Sequence, residues 1–368
     1  PGRTQWTSTA TSGTSKHYLH TVPTRTAHGE GPLTKIGFLI TNLGTPASTD
    51  VADVRAYLRE FLLDPYVVDL PKPLRQLLVK AVILPFRPKT SAHAYAAIWT
   101  ERGSPLMLHS EDLLAKLRTR LPVPVELAMR YGQPSIEQAL HNLSAQEVQQ
   151  VIAVPLYPQY ADSTVTTTID AIERLKPGAL SCEFITAFFD DQAYLDAQAQ
   201  CIRDHLPERW DHLLMSYHGL PERQLKKADP TGSHCLQTAD CCNVPSAAHA
   251  TCYRHQVYAT STALAQALNL QTSDYSVSFQ SRLGGGWVKP YTDEVLQQLP
   301  KQGVKHLAVT CPAFVADNLE TLEEIGIQGQ QTFLDSGGES FCLIPCMNDD
   351  EAWVEALSDI IQRRVAAV

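Results

Sequence analysis

Three stretches of the 368-residue chain bring together side chains able to do chemistry. In Ser216-Tyr217-His218-Gly219-Leu220-Pro221 an apolar run ends in an imidazole, and the glycine behind it leaves the backbone open to a close ligand. Such a histidine can take up a proton near neutral pH, or simply serve as a hydrogen-bonded wall residue. In Ala316-Asp317-Asn318-Leu319-Glu320-Thr321-Leu322-Glu323-Glu324, Asp317 is placed to cap a helix on which Glu320 and Glu324 stack one turn apart. Paired carboxylates of this kind hold a divalent metal or a proton, or merely complement the helix dipole. The third stretch, Gln280-Ser281-Arg282-Leu283-Gly284-Gly285-Gly286-Trp287, lacks the Lys-Ser/Thr of a phosphate loop. Its glycines suit a flat ligand beside an indole better than a phosphate.

Sulfur is concentrated in one place. Of nine cysteines, Cys235, Cys241, Cys242 and Cys252 fall within 18 positions, spaced C-x5-C-C-x9-C. That spacing is neither a zinc-finger nor a ferredoxin pattern. Adjacent Cys241 and Cys242 cannot readily bond to each other, and an odd cysteine count in a reducing compartment speaks against a disulfide framework. A metal centre is expected, with zinc, helped by His234, His249 or His255, as one option and free thiols as another. Cys182, Cys201, Cys311, Cys342 and Cys346 read as small core residues in strands or helices.

The elements that must position these groups follow from composition and periodicity. Apolar residues make up 44% of the chain and charged ones 19%, which excludes a disordered protein. Lysines and arginines number 30 against 39 acidic residues, a net charge of −9, so a dedicated nucleic-acid binder is excluded for want of a positive surface. No apolar stretch is long enough to span a bilayer, and the N-terminus lacks a signal pattern, so a cytoplasmic protein is expected. Apolar runs without polar alternation predict parallel strands at 36–41, 125–129, 150–156, 183–187, 213–217, 275–279, 306–311 and 341–345. Helical stripes lie between them: Val51, Val54, Leu58 and Phe61; Val257, Leu264 and Leu268; Trp353, Leu357, Ile360 and Ile361.

An internal repeat organises these strands. Asn42-Leu43-Gly44-Thr45-Pro46 matches Tyr217-His218-Gly219-Leu220-Pro221, Ala161-Asp162 matches Ala316-Asp317, and Arg130-Tyr131-Gly132 matches Arg282-Leu283-Gly284, in the same order. Two similar α/β lobes are expected, with ligands held beyond the carboxyl ends of the strands. Leu43 and His218 then occupy equivalent stations. The first lobe is longer, and Leu70 to Lys89 accounts for the excess. There Leu74, Leu77, Leu78, Val82, Ile83 and Phe86 interleave with Lys72, Arg75, Lys80, Arg87 and Lys89. This stretch reads as a hydrophobic lip over the cleft and a membrane-surface contact, or as an ordinary amphipathic helix pair covering the sheet.

Taken together, these motifs resemble the ferrochelatase family. Asn42 to Pro46, Glu101-Arg102-Gly103-Ser104-Pro105-Leu106, Met129 to Gly132, Leu156-Tyr157-Pro158-Gln159-Tyr160, Ser216 to Pro221, Gln280 to Arg282 and Ala316 to Glu324 stand in family order over residues 36–365. The resemblance implies two Rossmann-like lobes of the type II chelatase kind and insertion of ferrous iron, a substrate, into protoporphyrin to give protohaem. Coproporphyrin as the substrate, or a non-catalytic haem or metal carrier, are the alternatives. It implies His218 and Glu320 as the catalytic and metal-binding pair, with Glu324 and Asp317 continuing an acidic path. It further implies Leu43, Arg130, Tyr131, Ser281 and Trp287 as porphyrin contacts, and Cys235, Cys241, Cys242 and Cys252 as ligands of a [2Fe–2S] cluster. Asn318 stands where several family members carry histidine. The expected organisation is a flexible extension over 1–34, a first lobe over 35–190 with the lip at about 61–90, a second lobe over 191–346 with a cysteine-rich insertion at about 230–252, and a closing helix over 347–368. Peripheral contact with the inner membrane is expected, and no nucleic-acid partner.

Overall fold

The protein is described by a computed structural model covering residues 35–282 and 284–366; the extension expected over 1–34 lies outside them. Among the described residues eight strands form: β1 (Ile36–Asn42), β2 (Val125–Met129), β3 (Gln150–Pro155), β4 (Ser181–Phe184), β5 (His212–His218), β6 (Tyr275–Gln280), β7 (His306–Thr310) and β8 (Ser340–Leu343). They make two four-stranded sheets, ordered β2-β1-β3-β4 and β6-β5-β7-β8, with every pairing parallel. Adding four to each label of the first sheet produces the second, so the repeat in the sequence is a repeat of topology. In both sheets the chain leaves the central strand to one side and returns on the other. The carboxyl ends of β1 and β5 therefore lie at the crevice where such sheets receive ligands.

Both faces of each sheet are covered, which explains the unbroken apolar runs. Phe38 and Ile40 of β1, with Leu213 and Met215 of β5, face one large shared core that also holds Tyr194, Trp353, Leu357 and Ile361. The residues between them turn the other way: Leu39 packs with Leu140, Leu143 and Ile172, and Leu214 with Leu296, Val309 and Phe333. The closing helix Glu351–Ala366 packs on Gln192–His205 and on Pro105–Arg120 of the first half. Lys116 and Arg120 bind its Glu351, and Arg363 binds Asp191.

The edge strands differ from expectation. β4 runs Ser181–Phe184 rather than 183–187, because it pairs only along Gln150–Ala153 of β3. β8 likewise ends at Leu343, two residues before Pro345, which has no N–H to give a ladder.

The lip is a helical run in three parts, Lys72–Leu77, a wide-turned π segment Leu78–Ile83, and Leu84–Ile98. Val79 and Leu84 point inward, while Leu74, Leu77, Val82 and Phe86 are 55%, 64%, 54% and 75% exposed. Among the described residues no helix is long and apolar enough to cross a membrane.

Candidate active site

His218 is the last residue of the central strand β5, paired with Gln280 of β6. Its Nδ1 lies 2.7 Å from the carbonyl oxygen of Gly219. A carbonyl can only accept, so Nδ1 carries the proton and the neutral ring keeps its lone pair on Nε2, which makes no hydrogen bond to any described residue. Glycine follows by necessity. A Cβ on Gly219 would stand 2.7 Å from the Gln280 carbonyl oxygen and 3.3 Å from Cε3 of Trp287. Trp287 thus packs directly against the His218 turn, as a flat wall beside it.

The segment after β7 brings the carboxylates. Asn318, not Asp317, caps the helix there: its Oδ1 accepts from the Thr321 N–H at 3.0 Å, and the Thr321 hydroxyl accepts from the Asn318 N–H at 3.0 Å. Asp317 is buried and fully engaged with the Thr321 hydroxyl, the Asn348 amide and the Cys346 N–H, so it anchors the loop and does not line an acidic path. Residues Glu320–Gly329 form a π-helix, where an ordinary helix was expected. Its i→i+5 bonding makes each turn wider and is concentrated at functional sites.

Glu320 opens this helix. Desolvation pushes its carboxyl above the usual carboxylate range, the His218 imidazole opposes that, and Glu324 and Glu323 reinforce it. Burial raises the hydroxyls of Tyr57, Tyr95 and Tyr157, and the Glu320 charge adds to all three. One carboxylate is therefore felt by an imidazole of the second half and by three phenols of the first. The Tyr157 hydroxyl is buried with no partner among the described residues. Glu324 is held differently: it accepts the N–H of Ser281 at 2.6 Å and its hydroxyl at 2.5 Å. Ser281 gives both because its backbone is left-handed, with φ +65°.

The other sequence-derived positions divide between cleft and wall. Leu43, just beyond β1, joins an apolar cluster with Tyr57, Tyr95, Tyr131 and Leu319, the residue preceding Glu320. Arg130 ion-pairs with Asp64 and also donates to Thr167, and Tyr131 donates to Asp64 at 2.9 Å. Tyr131 is 1% exposed, so it stands behind the surface a porphyrin would touch. Asp64, Thr167, Tyr57 and Tyr95 escaped sequence reasoning, because they come from separate elements with no shared spacing.

In the cysteine-rich stretch all four thiols are buried. Asp229 folds the approach to it: its carboxylate accepts the Thr231 N–H and hydroxyl and the N–H groups of His234 and Cys235. Those bonds hold its pKa far below the usual range despite desolvation. Hydrogen bonding from Cys242 lowers the Cys252 thiol to about 5, and burial together with Cys252 raises Cys235 to about 12. The Arg254 guanidinium lies 3.5 Å from the Cys242 sulfur and 3.8 Å from that of Cys241. His234 and His249 turn a ring nitrogen to the Cys241 carbonyl, and His255 to that of Cys242, so these nitrogens face the main chain instead of sulfur. Among the described residues no three His, Cys, Asp or Glu side chains are gathered closely enough to hold a metal ion as they stand. Cys182 and Cys342 lie in strands and Cys201 in a helix, whereas Cys311 and Cys346 fall in loops beyond strand ends.

The family model Ferrochelatase matches residues 35–365. The chain is 49% identical over 342 residues to a Ferrochelatase of Pseudomonas fluorescens (strain SBW25), covering 91% of this chain and all of that one. It is 51% identical to a Ferrochelatase of Ectopseudomonas mendocina (strain ymp), again over 91% of this chain and all of the relative. Among solved structures it is similar in fold to SirB from Bacillus subtilis with Fe3+, at TM-score 0.50 and 12% identity, covering 89% of this chain and 95% of that one.

Proposed function

The chain belongs to the ferrochelatase family, enzymes that place ferrous iron in a porphyrin, and from that premise we propose that His218 and Glu320 carry the reaction here. What supports this is their influence on each other: though 102 residues apart in sequence, the His218 imidazole lowers the pKa of the buried Glu320 carboxyl.

Iron replaces two pyrrole protons, so Fe2+ and the free-base ring give haem and two H+. The Nε2 lone pair of His218 accepts a pyrrole proton as the base. The Glu320 carboxylate steadies the imidazolium that results and holds the incoming Fe2+, and its raised pKa brings it closer to the range in which it can itself accept a proton. Glu324, on the same helix, continues the path by which metal arrives or protons leave, with Ser281 fixing its carboxylate. The ring lies between His218 on one face and the apolar wall of Leu43 on the other, beside Trp287.

Protoporphyrin, with two carboxylates, suits the cleft better than coproporphyrin with four. Arg130 is already paired with Asp64, and Arg282 with Asp293 and Glu294, so few cations are left for further carboxylates. Through its Asp64 bond, Arg130 meets a propionate only as a shared partner.

Cys235, Cys241, Cys242 and Cys252 would hold a [2Fe–2S] cluster once drawn closer together than they stand: they are four buried sulfurs on one loop, beside the Arg254 cation that would offset thiolate charge. Such a cluster supplies one-electron chemistry and crosslinks the loop that holds it. The exposed apolar lip, flanked by Lys72, Lys80, Arg87 and Lys89, supports peripheral contact with the cytoplasmic face of the inner membrane.

An anaerobic assay with Fe2+ and either porphyrin, read as haem absorbance, tests the reaction and its substrate. Folded His218→Ala protein should fail to metallate; near-normal turnover would overturn the assignment. Visible absorbance beyond the aromatic band in freshly purified protein tests the cluster.

A further inference from the structure

One of the two groups assigned to the reaction ends a strand and the other opens a helix, so something must set the distance between them. Gln280, at the end of β6 and 2% exposed, touches both segments. Its carbonyl oxygen accepts the Gly219 N–H at 2.8 Å, directly behind His218. Its side-chain Nε2 donates to the carbonyl of Glu320 at 3.2 Å. Its Oε1 accepts the Ser216 hydroxyl at 2.7 Å, two residues before His218 on β5. The amide thus reaches across the end of the central strand, and both its oxygen and its nitrogen are hydrogen-bonded. Ser281, next in the chain, clamps Glu324 on the same helix.

We propose that Gln280 is a positioning residue for metallation, holding the His218 turn and the Glu320 helix at their working separation. The proposal rests on the reading that His218 and Glu320 carry the reaction. Gln280 itself touches neither reacting side chain; it acts on the two backbones that deliver them. A buried amide that both donates and accepts is fitted for this in a way an apolar residue is not, because it bonds the Ser216 hydroxyl of β5 and the Glu320 carbonyl at the same time.

Two variants separate this role from general stability. Gln280→Met keeps the length and removes both polar atoms, and the Ser216 hydroxyl retains Thr292 at 2.9 Å, so the strand ends stay satisfied. Gln280→Glu keeps the acceptor for Ser216 and loses the donor to Glu320. In both, kcat per porphyrin-binding site, with sites counted by quenching of porphyrin fluorescence, should fall about tenfold or more, since displacement of order 1 Å at a reacting group costs up to about a hundredfold. KM for porphyrin should stay within about twofold, because no ring contact is removed. A kcat per site near that of the parent in either folded variant overturns the proposal, as does a rise in KM with kcat unchanged. His218→Ala runs alongside. If it is inactive while the Gln280 variants are normal, only the positioning role fails; if it is active, the reading beneath fails too.

Discussion

A single methyl group added at Gly219 tests whether the close approach of β5 to β6 is what aims His218. The new Cβ would stand 2.7 Å from the Gln280 carbonyl oxygen, where ordinary contact begins at 3.4 Å, so the two strand ends must part by about 0.7 Å. The obstacle is backbone on one side and the Trp287 ring on the other, and neither can swing aside like a flexible side chain. Overpacking of this kind costs about 1–3 kcal/mol. The Gly219 N–H bond to Gln280, at 2.8 Å, is stretched by the same movement, which adds roughly 0.5–1.5 kcal/mol at most. The unfolding temperature of Gly219→Ala should therefore drop by several degrees. Turnover should fall more steeply, by about tenfold or beyond, because His218 is the neighbouring residue and a shift of nearly 1 Å at a reacting group is expensive. Gly178→Ala serves as the control. It is exposed, with nothing within 4 Å of the added carbon, and should gain about 0.4–1 kcal/mol from a stiffer unfolded chain. Thermal unfolding and haem formation measured on the three proteins decide the matter. A Gly219→Ala protein matching the parent in both would refute the claim that glycine is needed there.

Glu320→Gln should lose turnover about a hundredfold or more while gaining stability. The folded state raises the Glu320 pKa, so it binds that proton more tightly than the unfolded chain does, and parental stability declines as pH rises through the raised value. The glutamine variant escapes this decline, so its advantage should grow over that window; parallel melting curves across pH would sink the argument. Asp64→Ala leaves Arg130 unpaired and the hydroxyls of Tyr131 and Thr167 without their acceptor, and should cost about 3–5 kcal/mol in urea unfolding. A loss under about 1 kcal/mol would show that the pair is solvated rather than structural. Replacing Leu77 and Phe86 together by serine should weaken co-sedimentation with anionic lipid vesicles while leaving the melting temperature unchanged, since both side chains are exposed. Unaltered sedimentation would remove the lip from membrane contact.

What could be read from the chain alone was whatever is local or periodic. Phe38-Leu39-Ile40 announces a strand covered on both faces, and the structure splits those three residues between two cores. The Gly-x-Pro turns marked the ends of β1 and β5 because a close backbone approach leaves a glycine in the sequence. His218 and Glu320 are legible for a similar reason, one ending a strand and the other opening the helix that follows the loop after β7. Contacts between distant elements left no such trace. The partner of Arg130 is Asp64, in the loop after the first helix, and no spacing connects them. Asn318 rather than Asp317 caps the acidic helix because Asp317 is drawn away by Asn348 and Cys346, an attraction from 29 to 31 residues further on. The π-helical turn of Glu320–Gly329 was equally hidden, because its side chains suit an ordinary helix just as well.

The two halves share a topology and divide the labour. At equivalent stations the first half places Leu43, set among tyrosines and Leu319, and the second places His218, coupled to Glu320. A flat ring with exchangeable protons at its centre needs one surface that presses and one that accepts protons, and a symmetric pair of histidines would give two bases and no apolar floor. The same division appears after the third strand of each half. Asp162 opens a five-residue π turn and bonds Tyr160 and Thr166, all within its own half, whereas the ten-residue π-helix at Glu320 reaches both Gln280 and the tyrosines opposite. Metallation chemistry would then belong to the copy whose π-helix faces across the crevice, with the other copy supplying the apolar face.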